Sequence, residues 1–85
     1  MASDVVVYTT RICAYCHRAK SLLTKRGIPF REVDVSNDAE ARDWLVRTTG
    51  YRTVPQIFID GTSVGGSDEL HALDATGKLA TMIRG

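Results

Sequence analysis

The segment VVVYTTRICAYC, residues 5–16, decides the fold of this chain. It opens with a short β-branched run, which predicts a buried strand over residues 4–9. The polar residues that follow predict a loop, and the helical spacing of apolar residues resumes at Cys13 or Ala14 and ends near Arg26. The segment therefore predicts a strand–loop–helix unit with two cysteines at the start of the helix.

The rest of the chain continues this alternation of strands and helices. We predict a strand over residues 30–35, a helix from Asn37 to near Gly50, a strand over 56–59, a hairpin turn at Asp60-Gly61, a strand over 62–64, and a helical region from Ser67 to Met82 that bends near Gly77. Asn37, answered by Glu40, and Ser67 are the expected helix caps. This order predicts an α/β fold, a four-stranded mixed sheet flanked by helices.

Length and charge limit the kinds of protein this chain can be. Its 85 residues predict a single domain over 1–85, and we expect a monomer. Eleven basic and ten acidic residues leave a net charge of +1, which does not favour nucleic acid or a membrane surface as the main partner. The opening residues lack the basic flank and long apolar stretch of a signal peptide, so we expect a cytoplasmic location.

The two cysteines are the only ones in the chain. In a reducing compartment such a pair is more often catalytic or metal-binding than structural. A thiolate at Cys13 would be stabilised by the free N–H groups at the helix start, and thiolate is the nucleophile of thiol–disulfide exchange. Cys16, one turn later, is spaced to attack a mixed disulfide on Cys13. The spacing thus predicts redox chemistry.

Two other interpretations of the cysteine motif are less favoured. A structural zinc ion needs four ligands, and only His17 and His71 could join the two cysteines, so we expect no metal. The five residues Cys13-Ala14-Tyr15-Cys16-His17 also match the haem-attachment pattern. The missing export signal and the strand directly before the motif disfavour covalent haem.

Two later segments each allow a structural and a functional interpretation. Pro55 in Thr53-Val54-Pro55 is permitted at the first position of a strand, but a cis bond there would expose the Val54 backbone to an extended peptide. Residues 65–69, GGSDE, form either an ordinary capped turn or a ligand site, since glycines allow close approach and a helix N-terminus binds carboxylates. Neither segment decides the matter alone.

Together the three segments resemble the glutaredoxins, particularly the short bacterial dithiol type, over almost the whole chain. The matching stretches are residues 5–9 (VVVYT), 13–20 (CAYCHRAK), 53–59 (TVPQIFI) and 65–68 (GGSD). The resemblance implies a thioredoxin-like fold, a cis Pro55, and glutathione-dependent reduction of protein disulfides and glutathione mixed disulfides.

The resemblance also implies roles for particular residues. Cys13 would be the nucleophile and Cys16 the resolving thiol. Glutathione would be the reducing co-substrate, without a permanently bound cofactor, and the partners would be disulfide-containing or glutathionylated proteins. The implied glutathione-binding residues are Tyr15, Arg11, Arg42, Thr53, Val54, Pro55, Gly66, Ser67 and Asp68. Among them, the Val54 backbone would pair with the cysteinyl part, and the Ser67 N–H and the Asp68 carboxylate with the γ-glutamyl end.

Two positions depart from the family pattern. Ala14 replaces a frequent proline, so the loop loses a fixed φ and gains an N–H. Thr10 stands where a lysine is common, so Arg11 is the expected replacement cation for the glycine carboxylate of glutathione. In an extended loop the shift by one residue would turn the side chain of Arg11 to the opposite face. Arg42 and Arg52 are then the alternative cations.

Two other functions remain open at this stage. One is a carrier of an iron–sulfur cluster ligated by Cys13 and glutathione, which the missing loop proline keeps in view. The other is a redoxin reduced directly by thioredoxin reductase, which the Gly66-Ser67-Asp68 segment disfavours.

Overall fold

The computed structural model describes residues 3–83. Its elements, in chain order, are β1 (Val5–Thr9), α1 (Ala14–Lys25), β2 (Arg31–Asp34), α2 (Ala39–Thr49), β3 (Gln56–Ile59), β4 (Thr62–Gly65), α3 (Ser67–Ala75) and α4 (Lys78–Met82). The strands form one sheet in the order β2-β1-β3-β4, with β1 and β2 parallel and the other neighbours antiparallel. The predicted mixed four-stranded sheet is confirmed. No helix within residues 3–83 is long and apolar enough to span a bilayer.

The central strands β1 and β3 carry a core on each face of the sheet. Side chains alternate along a strand, so one face packs against α1, α3 and α4 and the other packs against α2. The first core holds ten buried residues: Val5, Val7, Ala19, Leu22, Leu23, Ile28, Ile57, Ile59, Leu70 and Leu79. The second, smaller core holds Val35, Leu45 and Phe58. Because both faces of β1 and β3 are buried, the sequences of these strands are nearly continuous apolar runs.

The β3–β4 turn and the last helical region follow their predictions. Asp60 and Gly61 both have positive φ, 52° and 82°, as a two-residue turn between twisted strands requires. The last helical region is divided into α3 and α4 at Gly77, whose φ is +80°.

Two predicted helix caps are wrong. Asp38, not Asn37, caps α2, because the Oδ1 atom of Asp38 accepts the Ala41 N–H at 3.0 Å, and Glu40 therefore does not return a hydrogen bond to Asn37. Ser67 is the first residue of α3 rather than its cap, which is Gly66. In both cases the turn before the helix fixes where the helix begins, and the preference of caps for Ser or Asn does not.

A polar network joins β1, β2 and α1 beneath the cysteine loop. The buried Thr9 hydroxyl donates to the Glu32 carboxylate at 2.8 Å, and Lys20 Nζ donates to the same carboxylate oxygen at 3.0 Å. Lys20 is thus paired with Glu32, and Arg26 forms two 2.9 Å hydrogen bonds with Asp74 of α3. The middle and the C-terminal end of α1 are therefore held to their neighbours.

This network predicts a loss of stability in acid. The hydrogen bonds from Lys20 and Thr9 lower the pKa of Glu32 below its ordinary value. A lowered folded-state pKa means that the contribution is present above the ordinary pKa and is lost as pH falls through the folded one. We expect acidification from pH 7 to pH 3 to destabilise the wild type more than Glu32→Gln in urea titrations. The difference should be at most about 1 kcal/mol, since the Glu32 side chain is 40% exposed. Equal losses in the two proteins would contradict the network.

Candidate active site

Cys13 is the N-cap of α1, where the sequence places it. Its Sγ accepts the backbone N–H of Cys16 at 3.1 Å. The two cysteines are joined as a disulfide, with their Cα atoms 5.2 Å apart. Cys13 is partly exposed, whereas Cys16 is only 2% exposed. An incoming thiol or disulfide therefore meets the sulfur of Cys13 first.

The loop before Cys13 is fixed to the end of β2. The Arg11 N–H donates to the Ser36 hydroxyl at 2.8 Å, and the Ser36 N–H donates to the Asp34 carboxylate at 2.8 Å. Hydrogen bonding of Asp34 with the Ser36 side chain, and then with the Ser36 N–H, is the main cause of the lowered pKa of Asp34. Sequence reasoning missed both residues. The available signal was local, because Asp followed two residues later by Ser is typical of a turn closed by a side chain.

The Val54–Pro55 bond lies opposite Cys13 and is cis, as the resemblance implied. The carbonyl oxygen of Val54 is 3.6 Å from the Sγ of Cys13. An extended ligand that reached this sulfur would pass directly beside the Val54 backbone. The segment from Thr53 to Pro55 thus forms one wall of the site.

Gln56, which sequence reasoning did not single out, supports that wall from inside. Its side chain is buried, and its Nε2 donates to the carbonyl oxygen of Thr53 at 2.8 Å. Its Oε1 is buried without a hydrogen-bond partner in the described structure. A buried amide that leaves one atom unpaired is costly, so its presence behind the wall indicates a positioning role.

The glycine segment forms the opposite wall. Gly65 has a φ of +99°, and a Cβ at Gly66 would lie 3.2 Å from the carbonyl oxygen of Pro55. Glu69 Oε1 accepts the Gly66 N–H at 2.9 Å, which orders the start of α3. The resulting groove is lined by Tyr15, Thr53, Val54, Pro55, Gly66, Ser67, Asp68 and Glu69. Except for the arginines, it brings together all the predicted glutathione-binding residues.

The candidate arginines line two further grooves that also include Val54. Arg11 and Arg42 line one groove together with Val54, and Arg42 and Arg52 line a second one with Thr53 and Val54. The one-residue shift does not turn Arg11 away from the groove that Arg42 lines. All three cations therefore surround the same point of the wall.

His71 lies beside Ser67, one of the residues that line the groove. Its Nδ1 donates to the Ser67 carbonyl oxygen at 2.8 Å. Within residues 3–83, no three His, Cys, Asp or Glu side chains are grouped so that they could hold a metal ion.

Comparison with known proteins places this site in a family. The glutaredoxin family model matches residues 5–64. The chain belongs to the glutaredoxin family. Its relatives include glutaredoxin 3 of Escherichia coli K12, 44% identical over 82 residues that cover 96% of this chain and 99% of the relative. A glutaredoxin of Pseudomonas aeruginosa is 49% identical over 79 residues, 93% of this chain and 94% of the relative.

Solved glutaredoxin structures share the fold. The structure of a buckwheat glutaredoxin–glutathione complex superposes with a TM-score of 0.88 at 31% identity, covering 95% of this chain and 76% of that one. The solution structure of a Brucella melitensis glutaredoxin gives a TM-score of 0.86 at 45% identity, covering 94% and 87%. The thioredoxin-like α/β fold is thus confirmed. In this glutaredoxin the family match includes the cysteine pair and the cis-proline wall, while residues 66–68 lie beyond it.

Proposed function

We propose that this glutaredoxin is a glutathione-dependent oxidoreductase that reduces glutathione mixed disulfides and protein disulfides through Cys13 and Cys16. The observation that carries the proposal is the groove beside Cys13. It extends from Val54, whose carbonyl oxygen is 3.6 Å from the Cys13 sulfur, to the start of α3, so one extended thiol peptide could lie along it and reach that sulfur. The reaction needs a supply of reduced glutathione, and on that ground we propose a cytoplasmic location. We also propose that the enzyme acts as a monomer.

Glutathione fits this groove by its chemistry. Its cysteinyl backbone would pair with Val54, as in the addition of a strand to a sheet edge. Its γ-glutamyl carboxylate would accept N–H groups at the start of α3, near Ser67, and its ammonium would meet the exposed Asp68. Thr53, Pro55, Gly66 and Tyr15 would shape the walls, and an arginine would bind the glycine carboxylate.

The reaction with a glutathione mixed disulfide needs Cys13 alone. The Cys13 thiolate attacks the sulfur of the glutathione half, the S–S bond breaks, and the other thiol leaves with a proton. A second glutathione thiolate then attacks the Cys13–glutathione disulfide, releases oxidised glutathione and regenerates Cys13. The Cys16 N–H that donates to Cys13 Sγ would stabilise the Cys13 thiolate, both before it attacks and when glutathione displaces it.

Reduction of a protein disulfide would use both cysteines. Cys13 attacks one sulfur of the target and releases the other as a thiol. Cys16 then attacks the Cys13–protein disulfide, which frees the reduced protein and leaves the Cys13–Cys16 disulfide. Two glutathione molecules reduce that disulfide and become oxidised glutathione.

A coupled assay tests the proposal directly. We expect turnover of a cysteine–glutathione mixed disulfide with glutathione, glutathione reductase and NADPH. The matched assay replaces glutathione and its reductase by thioredoxin reductase. Turnover in the second assay alone would contradict glutathione dependence and favour a redoxin that thioredoxin reductase reduces.

Asp68→Asn should weaken the use of glutathione. The change removes one partly exposed ion pair with the substrate ammonium, worth about 1 kcal/mol, so kcat/KM for glutathione should fall several-fold. Glu40→Gln is the matched control, because Glu40 is the second residue of α2 just as Asp68 is the second of α3. Glu40→Gln also removes a carboxylate from the N-terminus of a helix, but at a place that does not line the glutathione groove. Equal kcat/KM in wild type and Asp68→Asn would remove Asp68 from the site.

Three single substitutions should identify the cation that replaces the family lysine. We expect Arg11→Ala to raise KM for glutathione several-fold and to raise the pKa of Cys13, measured by the pH dependence of alkylation. The reason is that Arg11 adjoins the cysteine loop and can form two hydrogen bonds with a carboxylate. Arg42→Ala and Arg52→Ala are the comparisons. If Arg42→Ala or Arg52→Ala has larger effects on KM and on the pKa of Cys13, then that arginine is the cation. If none of the three variants changes either quantity, then the protein needs no cation at this position.

A further inference from the structure

Ile12 is an apolar side chain that neither the fold nor the glutathione groove uses. It is 97% exposed and directly precedes Cys13. Single exposed apolar residues are common on proteins. Ile12 nevertheless differs from the exposed Tyr15, Tyr51 and Trp44, since it has no polar atom that favours contact with water. Its position beside the reacting sulfur is where a large substrate must come close.

The arginines around Ile12 form no close ion pairs. Within residues 3–83, ion pairs occupy Arg26, Arg31 and Arg47, the last with Asp43. In the same part of the chain, Arg11, Arg42 and Arg52 have no carboxylate within ion-pair distance, although Arg11 interacts with Asp34 at longer range. Arg11 and Arg42 line one groove with Ile12, and Arg52 lines the adjoining one. On a chain of net charge +1, this side of the site is therefore locally positive.

We infer that Ile12 and the neighbouring arginines form a docking surface for protein substrates. This inference rests on the proposed reductase function. The occupant is a segment that carries an aliphatic side chain beside its disulfide-bonded cysteine and one or more carboxylates nearby. The aliphatic group covers Ile12, and the carboxylates meet the neighbouring arginines.

The surface adjoins the glutathione groove, and the two grooves share Val54, but Ile12 lines only the one that holds Arg11 and Arg42. One of the three arginines is assigned to the glycine carboxylate of glutathione, which leaves the other two and Ile12 for the protein segment. No contact with Ile12 is assigned to glutathione, so a change at Ile12 should affect a protein segment more than a small glutathione mixed disulfide. Charge also argues against a second copy of this chain as the occupant, because a symmetric contact would bring like arginines together.

Two glutathionylated peptides and one small substrate test the inference. The first peptide has leucine beside the cysteine and two glutamates, and the second has serine and two lysines. The small substrate is the cysteine–glutathione mixed disulfide. We expect wild type to prefer the first peptide. Ile12→Ser should lower kcat/KM on it about fivefold and leave the small substrate unchanged, while Ile12→Leu keeps the preference.

A second measurement does not depend on glutathione turnover. In Cys16→Ser, the Cys13 thiolate attacks the symmetric disulfide of one peptide, which releases one peptide thiol and leaves the other peptide on Cys13 as a lasting mixed disulfide. Added thiol of the other peptide then exchanges with it, one disulfide forming as one breaks, until equilibrium. Mass spectrometry of the two adducts gives the relative stability. We expect the acidic leucine peptide to dominate, and Ile12→Ser in the same background to reduce its excess about fivefold.

The outcomes separate the inference from the proposed function. Failure of wild type on the small substrate would overturn glutathione-dependent reduction, and the exchange equilibrium would still decide the docking surface. An equal loss on all three substrates in Ile12→Ser would place Ile12 in the chemistry of Cys13 and overturn docking. The absence of any peptide preference in wild type would overturn it as well.

Discussion

We expect Cys13→Ser to abolish every reductase activity of the protein and Cys16→Ser to keep activity on small glutathione mixed disulfides. Cys13 carries the partly exposed sulfur, and the Cys16 N–H and the Val54 backbone both lie beside it. A serine hydroxyl cannot form the mixed disulfide, so no other group can replace this step. Glutathione itself can resolve a Cys13–glutathione adduct, and Cys16 is then needed only for protein disulfides.

The coupled assay on a mixed disulfide and on a protein disulfide measures this asymmetry. Alkylation at mildly acidic pH is the second measurement, and it should label Cys13 first, because a helix N-terminus favours thiolate. An equal loss of activity in both variants, or preferential labelling of Cys16, would reverse the assignment.

The burial of Cys16 gives a direction to the reduction of the internal disulfide. Cys16 is almost fully covered, so in the proposed mechanism glutathione would attack the sulfur of Cys13. That attack would leave glutathione on Cys13, beside Val54, and release Cys16 as the thiol. The adduct would be the same one that a mixed-disulfide substrate produces. Under the proposed function, both substrate classes would therefore pass through one intermediate in one groove.

The fold could be predicted from local patterns because the chain follows them closely. The apolar runs of β1 and β3 reflect burial on both faces of the sheet, and the turn at Asp60-Gly61 reflects the positive φ that a tight hairpin needs. The predicted caps at Asn37 and Ser67 were each one residue away from the observed ones, Asp38 and Gly66. Where each helix begins depends on how the chain leaves the strand before it, which residue preferences for caps do not specify.

The candidate site could be predicted only as far as its chemistry is visible in short motifs. The cysteine pair, the cis proline and the glycine segment are contiguous in sequence, whereas their supports are not. Glu32 contacts Thr9 across 23 residues, and Ser36 contacts Arg11 across 25. Such pairs depend on parallel strand pairing between β1 and β2, which no local pattern specifies.

Gly65→Ala should be the most damaging change outside the cysteines. Gly65 has a φ of +99°, and a Cβ there would lie 2.8 Å from Cγ and Oε1 of Glu69. The side chain of Glu69 must then move, which breaks its hydrogen bond with the Gly66 N–H and disorders the start of α3. We expect kcat/KM for glutathione to fall at least tenfold, because the proposed γ-glutamyl site lies there. Stability should fall by more than the roughly 1–2 kcal/mol of a left-handed alanine.

Gly61→Ala is the matched control for this prediction. Gly61 has a similar φ, +82°, but no atom lies within 4 Å of the added Cβ, and it is in the hairpin turn at the opposite end of β3 from Pro55. Gly61→Ala should therefore lower the free energy of unfolding, measured in urea titrations, only by the cost of an alanine at positive φ. Its kcat/KM for glutathione should equal that of the wild type. Comparing Gly65→Ala with Gly61→Ala therefore separates the effect of backbone strain from the effect of disturbing the proposed glutathione site. If both variants lose glutathione activity in proportion to their stability, or if Gly65→Ala keeps it, then the Gly66–Glu69 hydrogen bond does not order a glutathione site.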